Sequence, residues 1–260
     1  MKLKKAASIL IFPLLSFFIV SCGMWNASYP EEKLNEILAE MVKKDTGIDV
    51  AVERYGRTLY MDMPLKDLTS SEADKVNEAV KKMQSAVLAI TRVVLSSDSK
   101  IKYMTVSAFD EDKQVLFRII QNIDDIKNYM YMRISRGDYE NRNVLEIEGP
   151  LTAADSIEDK HDISDGEYVA RMIASQVNMS ARTNPFLGAL IIVLNLRYLK
   201  AEGDSIIYSG TNIINDKLKD FIVNIISAQT IEYSQKYSLD FRKVTIVNLV
   251  TGEQILNIEL

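Results

Sequence analysis

The chain has 260 residues, of which 47% are hydrophobic and 26% charged, and its formal net charge at pH 7 is -5. This apolar fraction is normal for a globular protein, and the length is enough for one large domain or two smaller ones. The acidic balance is a poor match for nucleic acid or for anionic lipid headgroups, and a lone cysteine excludes a structural disulfide within the chain.

The first residues have the features of a secretory signal peptide. Lys2, Lys4 and Lys5 form a basic start, an apolar run of about 15 residues covers 6–20, and small residues follow it. The run is shorter than the roughly 20 residues that a helix needs to cross a bilayer. We therefore expect a signal peptide over residues 1–21 and not a permanent membrane span.

The end of this run resembles the lipobox of bacterial lipoproteins, with the sequence Ile19-Val20-Ser21-Cys22. The resemblance implies that Cys22 receives a diacylglyceryl thioether and becomes an acylated N-terminus, carrying fatty acids such as palmitate. Two or three acyl chains hold a protein stably at a membrane. The implied location is the bacterial cell envelope, facing the periplasm. Gly23 favours the outer membrane, because an Asp at that position resembles an inner-membrane retention signal. No family is recognised for the mature domain.

Residues 22–30 form a short predicted tether between the anchor and the folded body. It can reach at most about 30 Å at 3.3–3.6 Å per residue. It contains Met24, Trp25 and Tyr29, residue types that settle at membrane interfaces. We expect a body held close to the bilayer, although Trp25 could equally pack on the folded domain. Loss of the signal peptide removes three lysines and changes the formal charge from -5 to -8.

Residues 31–121 are predicted to form a first α-ββ-α-ββ unit. Apolar residues spaced by three and four predict a helix over 31–44 and a longer one from a capping-box pattern at Thr69 to about Leu95. Strands are indicated where apolar and polar residues alternate. The two predicted hairpins cover 48–63 and 101–120.

The segment 122–163 differs in character from both flanking units. A helix is predicted to about Ser135, a short strand over 143–149, and an acidic linker with little periodicity over 151–163. The predicted helix has one apolar face, formed by Ile126, Met130 and Ile134.

Residues 164–260 repeat the element order of the first unit. Residue identity between the two units is slight, so only the order of helices and strands is repeated. We therefore predict an α+β fold of two units, each with a mostly antiparallel sheet and with helices packed on one face. In chain order, the elements of the second unit are a helix over 164–181, strands over 187–199 and 205–210, a helix over 215–237 and a hairpin over 241–260.

The only histidine, His161, is the main candidate for catalytic chemistry. Asp159 and Asp162 flank it, but one imidazole and loop carboxylates rarely make a specific zinc or iron site. We interpret His161 as a solvated histidine in an acidic linker. The sequence contains no G-x-x-x-x-G-K-[ST], G-x-G-x-x-G or G-x-S-x-G motif. We therefore predict no catalytic residue, no metal site and no cofactor.

The predicted helix over 215–237 is apolar on more of its surface than one sheet face needs. Its first stripe comprises Ile214, Leu218, Phe221, Ile222, Ile225 and Ala228. Its second stripe, the possible partner surface, comprises Val223, Ile226, Thr230, Tyr233 and Tyr237. Either the first unit or the segment 122–148 covers the second stripe, or the stripe is an exposed docking ridge.

Taken together, these features predict a lipid-anchored, non-enzymatic envelope protein that acts as an interaction or assembly module. Its expected partners are the membrane, through acyl chains on Cys22, and an envelope protein, with no nucleic acid. One alternative is a periplasmic carrier of a lipid or small apolar ligand, for which 11 methionines could line an adaptable pocket. A second alternative is a carboxylate-based hydrolase of cell-wall glycan.

Overall fold

A computed structural model describes residues 29–66, 68, 70, 72–110, 115–149, 153–183, 196–210 and 216–260. The described residues form seven α-helices and nine strands in two sheets, which confirms the predicted α+β class. The signal peptide, Cys22, most of the tether and residues 187–195 of a predicted strand lie outside the described residues. No helix in the described ranges is long and apolar enough to cross a membrane.

The first unit has the predicted element order and ends in one more strand. A 3-10 turn, Glu31–Lys33, precedes the first helix. Sheet 1 has the order β1-β2-β3-β4-β5, in which β2 and β3 run parallel and the other pairs antiparallel. The elements are α1 (Leu34–Thr46), β1 (Ala51–Tyr55), β2 (Thr58–Pro64), α2 (Ala73–Leu95), β3 (Tyr103–Phe109), β4 (Leu116–Asn122) and, after two helices, β5 (Val144–Glu148).

The middle segment differs from its prediction in two ways. The helix predicted to about Ser135 already ends at Met130, as α3 (Ile123–Met130), because Met132 adopts a left-handed conformation with φ 55°. A second short helix that was not predicted, α4 (Arg136–Arg142), follows it. The Ser135 hydroxyl then caps α4. The predicted linker is also wrong, since it contains α5 (Ala153–Glu158), which packs on β4.

The second unit repeats the strand pairing of the first as well as its element order. Sheet 2 has the order β6-β7-β8-β9, and its inner pair β7 and β8 is parallel, as β2 and β3 are in sheet 1. A helix connects the parallel strands in both units. The elements are α6 (Asp165–Thr183), β6 (Arg197–Glu202), β7 (Ser205–Gly210), α7 (Asp216–Tyr237), β8 (Lys243–Asn248) and β9 (Gln254–Glu259).

Two hydrophobic cores lie on opposite faces of sheet 1. Alternation along β2 sends Leu59, Met61 and Met63 to the face that α1 and α2 cover. Tyr60 points to the opposite face, where it joins a core that contains Tyr103, α6, α7 and sheet 2. Helix α6 contacts β5, β6 and α7, so it lies between the two units. Sheet 1 is therefore covered by helices on both faces, which encloses its polar side chains as well.

Candidate functional site

The second face of sheet 1 carries charged side chains that the second unit buries. Arg118 on β4 lies directly opposite Glu146 on β5, and Glu148 follows on the same face of β5. Arg118 is 3% exposed. We name the surrounding group the polar cluster. Its members are Arg118, Glu146, Glu148, Ser156, Asp159, His161, Glu167, Arg171 and Arg197.

Arg171, on α6, holds two carboxylates of the polar cluster at once. Its Nη1 donates to Glu146 Oε1 at 2.7 Å, and its Nε donates to Glu167 Oε1 at 2.8 Å. Burial alone would lower the pKa of Arg171, but the charges of Glu146 and Glu167 outweigh it and raise that pKa. Burial would raise the pKa of Glu146, but the charges of Arg171 and Arg118 hold it below its usual value. The pKa of Glu167 is lowered as well, so these shifts favour the ionised forms of both carboxylates and of Arg171.

Arg197, on β6, connects sheet 2 to sheet 1 through the polar cluster. Its Nη2 donates to Ser156 Oγ at 2.8 Å, and its Nε lies 3.5 Å from Glu148 Oε2. The Ser156 hydroxyl donates to the same Glu148 oxygen at 2.8 Å. Arg118 Nη2 donates to the Ser156 carbonyl. Ser156 of the short helix α5 therefore contacts charged side chains from both sheets.

These side chains surround a small cavity of about 210 Å³. Arg118, Glu148, Arg171 and Arg197 form much of its wall, and the Arg171 guanidinium lies 5.0 Å from the centroid of the Tyr198 ring. Ligand pockets usually measure about 300–1,000 Å³. The cavity is smaller, and the ion pairs of the cluster already balance its positive and negative groups, so it is not an evident anion site.

His161 is part of the polar cluster and not a solvated linker residue, so the interpretation from sequence was wrong. Tyr60 donates to its carbonyl at 2.8 Å, which fixes the segment against sheet 1. Its Nε2 lies 2.8 Å from Glu167 Oε2 and its Nδ1 lies 3.1 Å from Asp159 Oδ1. The hydrogen bond to Glu167 raises the pKa of His161, although burial opposes this. The raised pKa favours the protonated imidazole, and both ring nitrogens already have carboxylate partners, an arrangement that suits a general base or a metal ligand poorly.

In the described ranges, no group of three or more His, Cys, Asp or Glu residues is arranged to hold a metal ion. Asp162, which flanks His161 in sequence, instead accepts from the Arg57 backbone N–H at 2.9 Å and from the Thr58 hydroxyl at 3.3 Å. The Asp162 carboxylate therefore helps to hold the segment that contains His161 on sheet 1.

We expect His161→Ala to lower the free energy of unfolding by about 1–2 kcal/mol, because it removes a charge-assisted hydrogen bond to buried Glu167. The ring is 41% exposed, so solvent screening places the effect in the lower part of the usual range. Since folding raises the pKa of His161, its contribution is complete below about pH 6.5 and is lost as pH rises through the folded value.

Urea unfolding of wild type and variant across this pH range checks the expectation. The difference between the two unfolding free energies should shrink as pH rises. Asp159→Asn removes the other, more exposed partner of the imidazole and should have a smaller effect. A difference that stays constant with pH would show that the imidazole does not titrate against Glu167.

The second stripe of α7, predicted as a possible partner surface, lies in the interior. Ile226 and Thr230 are fully buried and Tyr233 is 5% exposed, while Val223 and Tyr237 are partly buried against the same core. They therefore do not form an exposed ridge. The segment 122–148 contributes part of the cover, which is one of the arrangements that the sequence left open.

Tyr237 shows how this segment meets α7. Its hydroxyl donates to Asp125 Oδ2 of α3 at 2.5 Å, and Arg142 Nη1 of α4 holds Asp125 Oδ1 at 2.5 Å. Its ring meets Tyr168 of α6 edge-on, at 5.9 Å between centroids. Tyr237 of α7 and Arg142 of α4 thus bind one buried carboxylate of α3, and the ring contact with Tyr168 adds α6, so this region joins the two units.

A scan against protein-family models and searches of curated proteins and of solved structures find no match to this chain. Its function is therefore argued from its own residues.

Proposed function

We propose that this chain is a lipid-anchored protein of the bacterial cell envelope that acts as an interaction or assembly module. The observation that carries the proposal is Ile19-Val20-Ser21-Cys22, placed after a basic start and a short apolar run. In this proposal acyl chains on Cys22 hold the protein at the membrane, and the body faces the periplasm. Gly23 favours the outer membrane.

The polar cluster supports a structural role over hydrolysis of glycan. A glycosidase pairs one carboxylic acid, whose pKa is raised, with one ionised carboxylate. The pKa values of Glu146 and Glu167 are both lowered, against the effect of burial, by neighbouring cationic groups that include Arg171. Two carboxylates that share one guanidinium and have lowered pKa values fit a contact between α6 and β5 better than the role of a general acid.

The spaces beside sheet 1 support a carrier less well than a module. The cavity within the polar cluster is lined by arginine and glutamate side chains. A larger groove of about 650 Å³ lies beside β1 and is open to solvent. Its wall combines apolar side chains, such as Phe109 and Ile157, with the charged side chains of Glu53, Asp62 and Lys160. In either space an apolar ligand would take charged side chains out of water, which is unfavourable.

Cys22→Ala tests the anchor. We expect it to abolish incorporation of a fatty-acid analogue and to leave the signal peptide attached, because the lipidation chemistry needs the thiol. Gel mobility and the label in bacteria that express the full chain provide the measurement. Ser8→Ala, which changes a small residue outside the lipobox, is the control and should be labelled like wild type. Label retained by Cys22→Ala would refute the anchor.

A further inference from the structure

The turn between α3 and α4 displays apolar side chains to solvent. Met132 is 93% exposed, Tyr131 70% and Met130 62%, and Tyr129 beside them is also exposed. We name residues 129–132 the Tyr-Met turn. Single exposed apolar residues are normal on a protein surface, but a contiguous group of them marks an interaction site.

The Tyr-Met turn is an ordered structure. The Tyr129 ring stacks on Tyr139, with 4.7 Å between centroids and 7° between the planes. The Arg133 backbone N–H donates to the Asn128 carbonyl at 2.8 Å. Met132 has φ 55°, a conformation that costs free energy for any residue except glycine. The fold therefore spends conformational free energy at Met132 to keep these apolar side chains exposed to water. A loop with no further role could avoid this free-energy cost by relaxing to another conformation.

The connectivity places this turn at one end of sheet 1. The chain leaves β4 at Asn122, which pairs with Tyr103 at the start of β3. It returns to the sheet at Val144, which pairs with Ile120. Both ends of the excursion through α3 and α4 therefore lie at the end of the sheet where β3 begins.

The N-terminal chain reaches the folded body at the same end. Tyr29 forms a parallel β-bridge with Ser97, which follows the last turn of α2 and leads directly to β3. Only six residues lie between Cys22 and Tyr29, so the connection of seven Cα-to-Cα steps spans at most about 25 Å. If Cys22 is lipidated, the point where the chain enters this end of sheet 1 lies within about 25 Å of the acyl chains, so this end can reach the bilayer.

We infer that the Tyr-Met turn rests in the interfacial layer of the membrane that holds the anchor, and so provides a second point of membrane contact. Tyrosine is favoured at that depth, and methionine is apolar and conformationally adaptable. The Arg133 guanidinium lies 5.4 Å from the centroid of the Tyr131 ring, a position from which it can meet lipid phosphates. The orientation argument rests on the proposed function, because it uses the anchor at Cys22.

The contact depends on burial of apolar side chains, so the acidic net charge of the chain does not prevent it. Repulsion between the body and anionic headgroups still acts on the rest of the surface. Two attachment points, the acyl chains and the Tyr-Met turn, would fix the orientation of the body relative to the bilayer. The acyl chains alone would fix only its distance.

A fluorescence experiment on the full-length chain tests this contact. Met132→Cys is labelled with an environment-sensitive fluorophore and reconstituted into vesicles of phosphatidylethanolamine and phosphatidylglycerol. We expect a several-fold rise in emission and quenching by nitroxide-bearing lipids. Val250→Cys is the matched control, since Val250 is apolar and 86% exposed. Val250 follows the end of β8. The start of β8 follows the C-terminus of α7, where Tyr237 contacts α3, so Val250 lies at the far end of that strand. Its label should not respond.

The outcomes separate this inference from the proposed function. If the protein floats with vesicles and incorporates a fatty-acid analogue but the label at 132 stays in water, the membrane contact is refuted and the anchor stands. If the label at 132 is shielded in native membranes but not in pure lipid vesicles, the turn binds a protein and the inference is also refuted. If the wild-type thiol is free but the label at 132 responds to vesicles, the contact holds and the anchor fails. If the thiol is free and no response occurs, both fail.

Discussion

Arg171→Leu is expected to lower the free energy of unfolding by about 3–5 kcal/mol, the usual cost of removing one partner from a buried ion pair. The physical reason is that Glu146 and Glu167 both bind this guanidinium and both are largely buried. Leucine fills much of the space but leaves two carboxylates without their shared cation. Urea unfolding, followed by circular dichroism, measures the loss.

A combined variant is expected to recover part of the free energy of unfolding that Arg171→Leu loses. In Arg171→Leu, Glu146 keeps Arg118 and Glu167 keeps His161, but both lose their strongest shared partner. Adding Glu146→Gln and Glu167→Gln removes these two less balanced charges, so the triple variant should be more stable than Arg171→Leu alone. Arg136→Leu is a matched control, because Arg136 also pairs with a glutamate, Glu140, but at an exposed position. It should unfold like wild type. A normal unfolding midpoint for Arg171→Leu would show that the polar cluster does not join the two units.

Local sequence patterns predicted most of the elements, and the reason is physical. The apolar stripe of α2 repeats every three or four residues over 73–95, which only a helix can bring to one face. The helix predicted over 164–181 is α6, and at its start the Glu167 backbone N–H donates to Ser164 Oγ at 3.1 Å. Helix and hairpin patterns depend on neighbours in sequence, so one chain is enough to reveal them.

The polar cluster could not be predicted, because its burial depends on partners far away in sequence. Arg118 and Glu146 occupy strand positions that look like the solvent side of a sheet. Helix α6 of the second unit covers that side, and nothing near Arg118 in sequence signals it. His161 was misinterpreted for the same reason. An acidic, weakly periodic stretch normally indicates a linker. Here Lys160 of the stretch binds Glu53 and Asp62 of sheet 1, and the Ser156 hydroxyl accepts from Arg197 of the second unit.

The break between α3 and α4 was missed for a more local reason. Ile126, Met130 and Ile134 have helical spacing, and neither proline nor glycine separates them. The chain nevertheless turns at Met132, a residue type with no preference for the left-handed conformation. Ser135 is the one signal that could have found the break, since serine is a good N-cap and its side chain does cap α4.

Combined Tyr233→Ala and Tyr237→Ala replacement is expected to destabilise the fold by at least about 3–5 kcal/mol, the range for one buried aromatic side chain changed to alanine. Tyr233 is 5% exposed and lies in the core between α7 and the rest of the molecule. Tyr237 packs against Tyr168 and binds Asp125. The double variant removes both rings and leaves Asp125 with Arg142 as its remaining partner.

Thermal and urea unfolding distinguish a buried pair of tyrosines from the exposed docking ridge, which was the other arrangement left open by the sequence. An exposed ridge would lose partner binding while the melting temperature hardly changed, whereas a buried pair should lower it strongly. Tyr237→Phe keeps the ring and removes only the hydroxyl, so its loss should be about 1–3 kcal/mol, as for a hydrogen bond to a charged group. Tyr131→Ala is the control on an exposed ring and should unfold like wild type. A double variant as stable as wild type would mean that α7 does not pack on the first unit as described, and the second stripe would again be a candidate partner surface.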